Sequence, residues 1–248
     1  MIRNPTVFVL SVFSLLLVWQ GAAFFVSADV LPGPLAVAGV MGREALHGTL
    51  LIDIGITLAR VAVTFIIAMA VGSAIGIGLG LWRAGDRFFD VWLIAALNLP
   101  ALVVMVLCYI WFGLTEVAAI AAVAVNKIPL VAVMLRQGTR ALDRQWSEVA
   151  RLYQFGRWRM LQHVILPQLA PYFAASARTG LALIWKIVLV VELLGRPNGV
   201  GFQIQTFFQL WDIAALLAYA IAFMIVIQLI ESLIVGPWEQ RVSRWRGV

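Results

Sequence analysis

Cysteine is nearly absent. Cys108 is the one thiol in 248 residues, which excludes an intramolecular disulfide and a thiolate metal centre. Histidine is almost as scarce: His47 and His163 stand far apart, with no carboxylate or cysteine pattern around either, so no metal site is expected. Charge is the third deficit. Only 12% of residues are Asp, Glu, Lys or Arg and 63% are apolar, where a soluble domain carries about 25% and about 45–50%. That balance excludes a soluble globule, a disordered chain and a coiled coil. No paired histidines, carboxylates or nucleophile–base set stands out at one membrane depth, so an integral-membrane enzyme is not expected. A phosphate-binding loop is missing too. The glycines Gly72, Gly76, Gly78 and Gly80 have no following lysine and lie inside an apolar run; such a loop needs that lysine to reach the phosphates. Their overlapping GxxxG spacings predict close helix packing instead.

Long apolar runs fill the chain. At about 20 residues per crossing, hydropathy predicts an all-α, polytopic membrane protein with six helices, near 7–26, 55–82, 91–113, 117–135, 173–195 and 213–236. The runs are continuous rather than alternating, which excludes a β-barrel. Segment 35–53 is amphipathic and only moderately apolar, so an interfacial helix is expected after the turn Leu31-Pro32-Gly33-Pro34. The chain then divides into an anchor helix, turn and interfacial helix over 1–54, a transmembrane core over 55–240 and a tail over 241–248. Arg3 precedes an apolar run from Val7 to Val26, longer than the roughly 7–15 residues of a secretory h-region. An uncleaved anchor is expected.

The formal net charge is +6, and its distribution is topological. Arg3, Arg83, Arg87, Arg136, Arg140, Arg144, Arg151, Arg157, Arg159, Arg241, Arg244 and Arg246 fall on one side of the predicted spans, and Arg43 and Arg196 on the other. The positive-inside rule places both termini in the cytoplasm, and no nucleic-acid partner is implied. Trp82, Trp111, Trp211, Trp238 and Trp245 lie near span ends, as an interfacial belt requires.

A charge at a span centre costs on the order of 2.5–3.5 kcal/mol on insertion scales, so those that persist are candidates for function. Lys186 sits about midway through the fifth predicted span. It either lines a pathway or pairs with a carboxylate of another span or subunit, since Glu192 on its own helix is poorly placed. Lys127 in the fourth span has Asn126 beside it and Pro129 close after. Arg60 and Arg178 are nearer span ends and are expected to snorkel. Asn98-Leu99-Pro100 marks a kink in the third span, serving either packing or a cavity. Cationic residues along a path would suit a small anion.

The connection 136–171 is polar and has helical periodicity of its own. Asp143 can cap a helix in which Trp146, Val149, Ala150 and Tyr153 share one face. Gly156 is expected to break it. A second short helix would carry Trp158, Leu161 and Ile165 until Pro167 stops it. A helix-turn-helix on the membrane face, presenting aromatic side chains and arginines, is the shape of a docking surface.

Glu148-Val149-Ala150 followed by Ile165-Leu166-Pro167 resembles the EAA loop of bacterial ATP-binding-cassette importer permeases. Leu31-Pro32-Gly33-Pro34, Trp111-Phe112-Gly113, Arg157-Trp158 and Glu192-Leu193-Leu194-Gly195 ahead of Gly199-Val200-Gly201 are similar to the permeases that import sulfonates, taurine, nitrate or bicarbonate. This resemblance implies a five-helix type I importer core with cytoplasmic coupling helices, in the bacterial inner membrane. It also implies a second permease subunit, commonly an identical copy, together with two separate ATPase subunits and a periplasmic or lipid-anchored binding protein. ATP and Mg would be bound by the ATPases, with no cofactor and no catalysis in this chain. Glu148, Ala150, Tyr153, Gly156, Arg157, Trp158 and Pro167 would form the coupling element, and Lys186, Lys127, Asn98 and Pro100 the candidate translocation pathway. Gln154 stands where the family pattern has glycine, with Gly156 two positions later as the alternative turn. A stand-alone ion-coupled transporter or channel is the competing reading; it would use the lysines but leave the long loop without a purpose.

Overall fold

A computed structural model describes residues 5–237 apart from 144, 146, 147, 149 and 151, and omits the side chains of 5, 8 and 157. Among the described residues every regular element is helical. In chain order these are α1 (Pro5–Phe25), α2 (Pro34–His47), α3 (Leu50–Leu81), α4 (Arg83–Leu97), α5 (Ala101–Phe112), α6 (Glu116–Arg140), α7 (Arg157–Met160), α8 (Leu166–Gly195), α9 (Val200–Gln209) and α10 (Ile213–Ile230). Two π-helical turns, Leu161–Ile165 and Glu231–Val235, precede α8 and extend α10.

By length and composition three of the described helices can cross a membrane, Leu50–Leu81, Glu116–Arg140 and Ile213–Val235, or four if the bent pair α4–α5 is one span. The remaining two expected runs are occupied by α1 and α8. The all-α polytopic class is therefore observed, while those criteria alone do not reach six spans. The third expected span, 91–113, is not one helix: α4 and α5 meet at 90°. Pro100 explains the break. It has no N–H to donate back, and its ring pushes Leu99 away from helical backbone. Helix α4 carries Arg83, Asp86, Arg87 and Asp90 among apolar residues, and α5 is almost wholly apolar. The α3 helix begins at Leu50, so the expected boundary after residue 54 falls inside it.

The core is built on α3 and α6, which run in the same direction with their backbones close together. A Cβ placed on Gly72 would lie 2.6 Å from Val131 Cβ, one on Gly76 2.4 Å from the Ala132 carbonyl oxygen, and one on Gly80 2.4 Å from Thr139 Cβ. Glycines four apart fall on one helix face, and removing their side chains lets that face meet α6 directly. Gly78 lies off this stripe, in open space. Beside the pair, α5 and α8 pack Val104, Met105, Cys108, Ile184, Val188 and Val191 against Val61, Ala68, Ala119, Ala122 and Val123. A second cluster joins α2, α9 and α10 to the start of α3 through Leu50, Ile54, Val200, Tyr219 and Phe223.

The stripe generates a contrast between neighbouring glycines. Gly76→Ala should lower the thermal midpoint of the purified protein, at about 1–3 kcal/mol for overpacking a rigid contact. Gly78→Ala should leave it unchanged or raise it, since alanine favours a helix by up to about 1 kcal/mol. Equal midpoints for the two variants would contradict the close approach.

Candidate functional site

After α6 the chain turns at Ala141, and Asp143 opens the connection. Its Oδ1 accepts from the Gln145 amide at 2.9 Å and its own amide donates to Gln168 Oε1 at 3.0 Å, so the start of the loop is tied to the start of α8. Gln145, Glu148, Ala150 and Leu152 are helical, as the periodicity predicts. Trp146 and Val149, two members of the expected apolar face, lie outside the described residues. Ala150 is buried, whereas Tyr153 is exposed and lies in the turn rather than on the helix face.

That turn is made by Gln154, not by Gly156. Gln154 has φ 51°, and the Phe155 amide donates to the Ala150 carbonyl at 2.9 Å, the six-to-one bond of a Schellman ending whose left-handed residue is usually glycine. Glutamine therefore occupies the family's glycine position with the backbone that glycine would adopt. Gly156 only precedes α7, whose first residue is Arg157; that side chain lies outside the described residues. Pro167 likewise does not stop the second helix. The chain passes from α7 through the π turn straight into α8, with Leu166 N–H donating to Leu161 O across the turn. The proline sits at the start of α8, next to a turn that has already left the α pattern, so its missing donor interrupts little. Glu148 projects into solvent, and Leu152, Tyr153 and Trp158 are exposed apolar or aromatic side chains. Phe155 rests edge-on against His163 with ring centroids 6.4 Å apart.

The candidate pathway residues gather at one level. Arg196 of the loop after α8 meets Glu116 at the start of α6, 2.7 Å apart. Counting about 1.5 Å per residue along each helix, Lys127 on α6 and Lys186 on α8 both lie roughly 15 Å inward from that contact. Asn126, next to Lys127, donates to the Leu99 carbonyl at 3.4 Å, so the Asn98–Pro100 break stands at the same depth. Asn98 donates its side-chain amide to Ile94 O at 2.8 Å, occupying a carbonyl at the broken helix end. Lys127 is only 9% exposed and has no ion pair or hydrogen bond among the described residues. Lys186 is exposed, its ammonium 5.5 Å from the Trp185 ring centroid.

Two ionic clusters flank this level, and sequence reasoning missed both. Arg60 does not snorkel. It is 5% exposed and binds Glu116 through Nε at 2.9 Å and Nη2 at 2.5 Å, Glu192 through Nη1 at 2.7 Å, and Asn198 through its carbonyl at 2.9 Å and its side-chain oxygen. Glu192 is fully buried and also accepts from Thr57 and the Gly201 amide, both at 2.9 Å. Asp53 accepts from the Gly199 amide at 2.9 Å, where the backbone has φ 101°. These bonds fasten α3, α6, α8 and α9 together. At the opposite end, Arg136 and Arg140 of α6 bind Asp86 and Asp90 of α4. Arg178 lies 3.6 Å from Glu231, both side chains partly exposed.

The family described as "Binding-protein-dependent transport system inner membrane component" matches residues 68–243. The putative aliphatic sulfonates transport permease protein SsuC of Bacillus subtilis is 31% identical over 93% of this chain and 84% of its own length. The taurine transport system permease protein TauC of Escherichia coli is 26% identical, covering 98% of this chain and 88% of its own. The nitrate import permease protein NrtB of Synechococcus elongatus is 23% identical over 98% and 88%. Among solved structures, inward-facing MetNI methionine ABC transporter contains a chain that superposes with TM-score 0.70 at 18% identity, over 80% of this chain and 98% of that one; this likeness speaks for the fold.

The Arg60 cluster predicts a strong asymmetry between single and paired substitutions. Arg60→Met strands a fully buried carboxylate and should cost about 3–5 kcal/mol, seen as loss of folded protein in detergent. Adding Glu192→Gln should recover most of that loss. A single variant as stable as the native sequence would show that the pair is not the fastening.

Proposed function

The chain belongs to the binding-protein-dependent transport system inner membrane components, and on that premise we propose that this multi-pass permease subunit of an ATP-binding-cassette importer carries a small anion, driven through its 136–171 connection by separate ATPase subunits. The observation that carries the coupling is the exposed face of that connection. Leu152, Tyr153 and Trp158 stand in solvent beside Glu148, on a segment tied to both α6 and α8, and an apolar patch with a polar rim marks a protein interface. Glu148, Ala150, Tyr153, Gly156, Arg157, Trp158 and Pro167 make up this element, with Gln154 shaping its turn. ATP and Mg are assigned to the ATPases, and both termini to the cytoplasm with the loop.

The solute class rests on charge and on relatives. Relatives named for sulfonates, taurine and nitrate handle solutes that carry an anionic group. Lys127, Lys186 and the Asn98–Pro100 break share one level, and an ionisable residue inside a membrane almost always faces a bundle interior or a water-filled cavity. A broken helix at such a depth is tolerated where it lines protein or a cavity. We assign the pathway to this level, completed by a second, identical permease subunit that covers the exposed Lys186. A periplasmic or lipid-anchored binding protein delivers the solute.

Reconstitution tests the reading. This chain, purified from native membranes, should bring an ATPase subunit, and the double variant Glu148→Ala/Trp158→Ala should release it. In proteoliposomes with the binding protein, ethanesulfonate, nitrate and bicarbonate serve as probes, and uptake of at least one should require ATP. Lys127→Gln and Lys186→Gln should each lower that uptake about tenfold, the loss of one charge-assisted hydrogen bond of about 1.5 kcal/mol. Gradient-driven uptake by this chain alone, without ATP, would establish the stand-alone transporter instead.

A further inference from the structure

The cluster at the Arg140 end of α6 has no role in the reading above, and its position gives it one. Asp86 is buried on the first turn of α4. Arg136 Nη1 lies 3.3 Å from its Oδ1 and 2.7 Å from Asp90 Oδ1, and Arg140 Nη2 binds the other oxygen of Asp86. Apart from these bonds, α4 is held to the core chiefly by Leu93, which packs with Leu79 and Ala132. Most of its large apolar side chains, Phe88, Val91 and Trp92 among them, are exposed. The far end of α4 is the 90° break to α5. Helix α5, by contrast, is buried in the main core through Val104, Met105 and Cys108.

Helix α6 has a weak point of its own at that depth. Pro129 lies inside it, two residues beyond Lys127, and an internal proline removes one backbone bond and kinks a helix. The two interruptions, Pro129 in α6 and Asn98–Pro100 between α4 and α5, therefore stand at one level, linked by the Asn126 to Leu99 bond. On the loop side of that level, α6 and α4 are joined by Asp86, Asp90, Arg136 and Arg140. On the other side, α5, the start of α6 and the end of α8 are joined by the main core and by the Arg60 cluster. Such a layout is a hinge between two tied blocks.

We propose that Asp86 is a positioning residue for transport: its ion pairs with Arg136 and Arg140 make α4 follow the loop end of α6, so that displacement of the 136–171 connection bends the chain at Asn98–Pro100 and reshapes the level of Lys127. The proposal rests on the permease reading. It assigns to four charged side chains the step between a motion at the loop and a change at the pathway. Neutralising Asp86 leaves α4 held by Leu93 and by the partly exposed Asp90–Arg136 pair, a weaker tie that lets it lag behind α6.

The test uses the full complex with its co-purified ATPase subunits, spin-labelled at cysteines replacing Phe88 on α4 and Ile110 on α5. The probe is ATP with Mg, and the reading is the label-to-label distance with and without it. In the native background ATP should shift that distance. Asp86→Asn should abolish the shift while ATP hydrolysis continues, and Asp86→Glu should restore it. If Asp86→Asn does not assemble, Arg140→Gln carries the test, because Arg140 is half exposed and Arg136 still neutralises Asp86; with one of the ties cut, it should reduce the shift without abolishing it. An unchanged shift in either assembled variant overturns the proposal, as does loss of ATP hydrolysis together with the shift, which would make the cluster a requirement of assembly only. Failure of the native chain to capture an ATPase would instead sink the permease reading.

Discussion

The contact between α3 and α6 is the constraint on which the rest depends. Two long helices run side by side in the same direction, and the glycines at 72, 76 and 80 bring their backbones within reach of each other. In a bilayer no hydrophobic force drives one apolar helix onto another, so close packing and internal polar bonds must supply the association. The glycine stripe supplies the first at the Arg140 end. Arg60 supplies the second at the Glu116 end, where its guanidinium binds Glu116 and neutralises Glu192, which would otherwise be a buried charge. With that pair fixed, α5 and α8 have a surface to pack on, α9 is held by the bonds of Glu192 and Asp53, and the lysines of α6 and α8 reach a common depth.

The polar inventory of the interior then divides by what each charge has found. Arg60, Glu116, Glu192 and Arg196 pair their charges with one another. Asp86, Asp90, Arg136 and Arg140 do the same at the other end. Lys127 and Lys186, halfway between, have no carboxylate among the described residues, and the backbone is interrupted beside them. Ion pairs hold both ends of this region and leave the middle unpaired, the arrangement that the proposed alternating pathway requires.

Much of this was legible in the sequence, for identifiable reasons. Continuous apolar runs announce membrane helices whatever their partners, and Asn98-Leu99-Pro100 announces a break because proline acts through its own backbone. The glycine spacing was legible too, although Gly78 could be set apart from Gly72, Gly76 and Gly80 only once the helix face was known. What escaped was non-local. Arg60 read as a snorkelling side chain because its partners stand 56 and 132 positions away. The same holds for Asp86, 50 and 54 positions from its arginines, and for α9, a part-polar segment between apolar runs. In the 136–171 connection the errors were local. Gln154 adopts a backbone that composition assigns to glycine, and Pro167 follows a π turn that relieves it of its usual role as a stop.

The claim that α3 and α6 stay joined along the glycine stripe can be measured directly. Spin labels at cysteines replacing Ile75 on α3 and Gln137 on α6, both exposed and both on the loop side of Pro129, report their separation in the complex before and after ATP binding. The account predicts a single, unchanged distance distribution in both states. A distribution that shifts or splits when ATP is added would show the two helices sliding or parting, and would contradict it.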